Sequence, residues 1–77
     1  MAEQRWCYVA QKDGRPGAAA IVMDVPGEER ETAKSVARYI RDGYTVERVP
    51  ATEGVERFEV FVEYRMRENA RLWALAL

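Results

Sequence analysis

The sequence predicts a small α+β domain: ββαββ(α) in order, a four-stranded antiparallel sheet with one main helix packed on one face and a short C-terminal helix. Two observations carry most of this. Ala33, Val36, Ala37 and Ile40 recur at i, i+3, i+4 and i+7, the spacing of one helix face. Phe58, Val60, Val62 and Tyr64 alternate with Arg57, Glu59, Phe61, Glu63 and Arg65, the spacing of a half-buried strand.

Taken in order, Arg5 to Lys12 reads as a first strand, rich in the β-formers Trp6, Tyr8 and Val9. Asp13-Gly14-Arg15-Pro16-Gly17 is a turn: glycine reaches positive φ and proline ends a ladder. Ala18 to Val25 returns as the second strand of a hairpin, with Ile21, Met23 and Val25 on one face. Pro26-Gly27 breaks it, and the main helix starts near Glu28. Glu28, Glu29 and Glu31 in its first turns and Arg38 and Arg41 in its last complement the helix dipole. Gly43 is placed as the left-handed residue that closes it. Tyr44 to Val49 is expected as a third strand, Pro50 to Gly54 as a loop, and Val55 to Met66 as a fourth and longest strand. Arg67 to Leu77 holds helix formers and is expected as a short terminal helix capped near Asn69, packed on its own core, although periodicity leaves a fifth strand open.

At 77 residues, 48% hydrophobic and 32% charged, the chain has the composition of one folded domain and room for one core. So small a domain buries about 60% of its unfolded surface, which leaves stability modest and makes support from a second chain plausible. The net charge of −1 lacks the positive excess of proteins that hold nucleic acid by bulk electrostatics. No apolar run nears the roughly 20 residues that cross a bilayer, so no membrane partner is expected. Nothing at Met1 to Arg5 resembles a secretion signal, and the expected location is cytoplasmic.

The catalytic repertoire is thin, and a non-enzymatic protein is expected. The chain has no histidine and one cysteine, Cys7, which removes the Ser-His and Cys-His pairs, Cys-rich metal sites and an internal disulfide. No phosphate-binding or dinucleotide fingerprint occurs, so no cofactor and no metal are expected. Cys7 itself reads as a small buried hydrophobe, because no Lys or His lies near it in sequence to lower its pKa.

Three groups of residues are candidates for partner binding. Trp73, Leu75 and Leu77 form an apolar terminal segment that either docks on its own core, the favoured reading, or pairs with another chain as a homodimer contact. Phe61, bracketed by Arg57 and Arg65, has the composition of a hot spot on an outward strand face. Trp6 and Tyr8 point the same way from the first strand and, with Phe61 and nearby arginines, offer the alternative of a nucleic-acid-binding face. The leading expectation is a protein-binding module.

A stand-alone α+β chain of this length, balanced in charge and without cofactor motifs, resembles in general character the small proteins encoded by phages and mobile elements. Anti-CRISPR proteins are the best-known functional group of that kind, and no shared motif carries the resemblance. It implies an inhibitor that docks on a larger complex, with Glu28, Glu29 and Glu31 as residues that mimic nucleic acid. The even charge balance counts against strong mimicry.

Overall fold

The structure, a computed structural model, describes residues 4–76. Its elements run β1 (Trp6–Gln11), β2 (Ala20–Asp24), α1 (Glu29–Arg41), β3 (Thr45–Pro50) and α2 (Ala51–Ala76). The protein is a small α+β domain with a three-stranded antiparallel sheet and two helices. The expected fourth strand does not form among the described residues. Pro50 ends β3, and the rest of the expected loop, Ala51 to Gly54, the segment from Val55 to Met66 and the terminal stretch as far as Ala76, itself expected as helix, form one helix of 26 residues.

The hairpin forms as expected. β1 pairs with β2 in a register that sets Cys7 opposite Met23 and Tyr8 opposite Val22. Gly14 and Gly17 in its connection adopt φ of 78° and 74°, a region open to glycine and costly to other residues. β3 adds on the other edge of β1, with Cys7 opposite Val49 and Tyr8 opposite Arg48, so the sheet order is β2-β1-β3. The main helix occupies the crossover, as its periodicity requires, and its C-terminus is a Schellman motif. Gly43 at φ 91° donates to the Ile40 carbonyl (3.1 Å), and the Tyr44 amide donates to the Tyr39 carbonyl (3.0 Å). The Tyr39 and Tyr44 rings meet edge-to-face, 5.4 Å apart, as the apolar contact of that motif.

Alternate residues of β1 serve opposite sides of the sheet. Cys7 and Val9 face α2, and with Ala18 and Val49 they make the core, against which Ile21 packs. Trp6 and Tyr8 face the α1 side together with Asp24 and Arg48. The sheet is thus covered by α1 on one face and by the first half of α2 on the other.

The misread strand has a physical explanation. Its alternation comes from Val60, Val62 and the aromatics, but the same stretch also satisfies helical spacing, at Val55, Phe58 and Val62. No Gly or Pro interrupts the chain after Gly54, and Glu, Arg, Ala and Leu, strong helix formers, fill it. Glu53 and Arg57, at i and i+4, close an ion pair at 2.8 Å that only a helix permits at this separation.

Candidate functional site

α2 begins directly after β3, with the Ala51 amide donating to the Arg5 carbonyl at 2.9 Å. It then crosses β1 at Gly54, which is buried against Cys7 and Val9. The residues that face the protein follow at helical intervals: Gly54, Arg57, Phe61, Tyr64 and Glu68 are buried or half-buried. Arg57 ties the helix to the sheet, donating to Glu47 of β3 at 2.9 Å and to Glu53 at 2.8 Å. Its carbonyl accepts from the Ala18 amide at 2.9 Å, which docks the hairpin connection on the helix. Phe61 packs against Gly17 of that connection and lies 6.5 Å from the Tyr64 ring.

Phe61, Arg57 and Arg65 therefore do share a face, at i, i+4 and i+8 of a helix rather than on a strand. The expected outward aromatic is instead half-buried, and Arg57 is engaged in structural ion pairs. Arg65 is exposed.

A 26-residue helix is about 39 Å long, whereas strands of five or six residues extend only about 20 Å. The second half of α2 consequently overhangs the sheet. From Asn69 onward every described residue is exposed, with Trp73 at 70% and Leu75 at 79%. The expectation that this segment folds back on its own core is overturned, and Asn69 lies within a helix rather than at a cap. Leu77 lies outside the described residues.

The exposed apolar surface of α2 is ordered with the helical period, which the alternation of Phe58, Val60, Val62 and Tyr64 conceals in the sequence. With successive residues turned by about 100°, Val55, Phe58, Val62, Met66 and Trp73 fall within about 80° of one another. All five are exposed. The stripe runs along the side of α2 next to its buried face, and its signal in the sequence was the spacing i, i+3, i+7, i+11, i+18. Val60, Leu72 and Leu75 are exposed outside it.

The other face of the sheet holds a groove of about 490 Å³ between α1 and Tyr8. Thr32, Ala33, Val36, Ala37 and Ile40 line one wall, and the Asp24–Arg48 ion pair, 3.3 Å, closes one end. The Arg48 guanidinium also lies over the Trp6 ring, 4.3 Å from its centroid. The face of Trp6 is therefore occupied, and Phe61 sits on α2 across the sheet. Trp6, Tyr8 and Phe61 do not form one stacking platform.

The acidic residues at the start of α1 are partly engaged locally. The Gly27 amide donates to Glu29 Oε1 at 3.0 Å, which holds the Glu29 carboxyl below its ordinary pKa, and Glu31 pairs with Lys34 at 3.6 Å. Glu28 is exposed at the N-cap and makes no side-chain capping bond. Cys7 is fully buried, as its sequence context suggested, and burial pushes its thiol pKa up, aided by the Glu53 charge. Among the described residues no cluster of three His, Cys, Asp or Glu side chains could hold a metal ion, and no helix is long and apolar enough to cross a membrane. No family model, curated protein or solved structure matches this chain.

Proposed function

We propose that the protein is a non-enzymatic protein-binding module whose binding element is α2. One observation carries this reading: an apolar stripe, Val55, Phe58, Val62, Met66 and Trp73, interrupted by Asn69, stands exposed along a helix whose adjoining face is packed as far as Glu68. Large ordered apolar surfaces are costly to leave in water and mark sites of association. Aromatic and methionine side chains, both on the stripe, are enriched in interface cores.

Covering a surface of a larger complex, as a small inhibitor does, is one way for such a module to act. On this reading docking runs through α2, and the acidic start of α1 stays a helix terminus whose charges answer the dipole.

The test is affinity capture with tagged protein at low and high salt, run beside Met66→Glu. An apolar interface predicts stoichiometric capture of protein, kept at high salt and lost in the variant, with both proteins melting alike. Capture of nucleic acid that washes off with salt, or capture insensitive to Met66→Glu, sinks the proposal.

A further inference from the structure

We infer that the partner seated on the α2 stripe is a second copy of this chain, paired antiparallel about a two-fold axis near the helix middle. The inference rests on the reading of α2 as the binding element and adds the identity and direction of its occupant.

Three features of α2 support it. The stripe is straight and long: from Val55 to Trp73 it covers about 27 Å, enough for five turns of helix-to-helix contact. Its composition suits self-pairing, since Phe58, Met66 and Trp73 are large and Val55 and Val62 small, so that large and small side chains can interdigitate.

The second feature is charge. Up to Glu63 the helix carries Glu53, Glu56, Glu59 and Glu63 against Arg57 alone, and beyond it Arg65, Arg67 and Arg71 against Glu68 alone. A parallel pair lays acid on acid and base on base. An antiparallel pair lays each acidic half on the partner's basic half, which is the favourable arrangement.

The third feature is that the charges beside the stripe are free. Glu56, Glu59, Glu63 and Arg67 lie on one flank of it, and a two-fold axis near Tyr64 brings Glu59 and Glu63 of one copy towards Arg67 of the other, while Arg71 stands on the far side of the helix. Among the described residues Glu56, Glu59, Glu63 and Arg67 take part in no ion pair within the chain, and Arg71 reaches Glu68 only at 3.9 Å. A two-fold contact is isologous, so one self-complementary stripe suffices and the assembly closes at two copies.

The experiment is light scattering after size exclusion, with a dilution series for the dissociation constant. The wild type is expected at twice the 8.9 kDa chain mass. Met66→Glu and Trp73→Glu, each on the stripe, are expected to weaken association at least tenfold while keeping the circular dichroism of the folded chain. Val60→Glu, exposed but off the stripe, is expected to leave it unchanged. Direction is read from Glu56→Gln/Glu59→Gln/Glu63→Gln and from salt: antiparallel pairing is weakened by both, and parallel pairing is strengthened by both. A dimer indifferent to Met66→Glu overturns the interface, and tightening in the triple variant overturns the direction. A monomer at about 100 μM overturns self-pairing. If capture of another protein is then still lost in Met66→Glu, the protein-binding reading stands, and if nothing is captured both fall.

Discussion

Gly54 Cα lies against the Cys7 thiol where α2 crosses the central strand, and a methyl group at position 54 would overlap Cys7 Sγ and come within 3.5 Å of Val9. The contact sets how closely the long helix approaches the sheet. A larger residue at either position pushes the two layers apart, because the packed interior has no slack to absorb it.

Gly54→Ala is accordingly expected to destabilise the fold by about 1–3 kcal/mol through overpacking, although alanine is by itself the better helix former. Urea denaturation measures this. Adding Cys7→Ala removes the overlapping sulfur, so the double variant should lose less than the sum of the two singles. Strict additivity would show that the two residues are not in contact.

Phe61→Ala should cost about 1–2 kcal/mol, less than the 3–5 kcal/mol typical of a fully buried phenylalanine. Its ring is half-buried on the hairpin connection at Gly17, rather than outward as strand alternation suggested. A change within 0.5 kcal/mol would restore the outward placement.

Arg57→Met is expected to cost about 0.5–1 kcal/mol at low salt, since its pairs with Glu47 and Glu53 lie near the surface. The difference from wild type should shrink as sodium chloride is raised. A salt-independent loss would point to the packing of its stem.

The Cys7 thiol should react with an aromatic disulfide reagent at pH 8 at least ~100-fold more slowly in the native protein than in urea. Burial both blocks access and raises its pKa, which lowers the thiolate fraction. Equal rates in the two states would contradict the buried placement.

The Glu29 carboxyl is held below its ordinary value of 4.5 by the Gly27 amide. A carboxyl with a depressed folded-state pKa contributes stability above its unfolded value and loses it as pH falls through the folded value. Glu29→Gln should therefore melt lower than wild type at pH 7, with the gap closing below about pH 4.5. A gap that persists at pH 3 would assign the effect to something other than the charge.

The hairpin, the main helix and its Gly43 terminus were legible in the sequence because each is local. Gly17, Pro26-Gly27 and Gly43 act through their own φ and through neighbours a few residues away, and the α1 stripe has one dominant period. Val55 to Met66 was not legible in the same way, whereas the helix beyond Arg67 was read from its helix formers. The apolar residues from Val55 to Met66 satisfy both the period of two and the period of 3.6, so a strand and a helix were each consistent with the pattern.

Composition and local pattern by themselves determined an α+β class, a hairpin followed by a helix, a buried Cys7 and the absence of a histidine or multi-cysteine site. Tertiary structure alone decided that Phe61 turns inward, that Arg48 covers Trp6, and that the Val55–Trp73 stripe stays open. The physical reason is that these depend on which face of α2 meets the sheet. Gly54 and Cys7 settle that by close approach across 47 positions of sequence, a separation no local periodicity encodes.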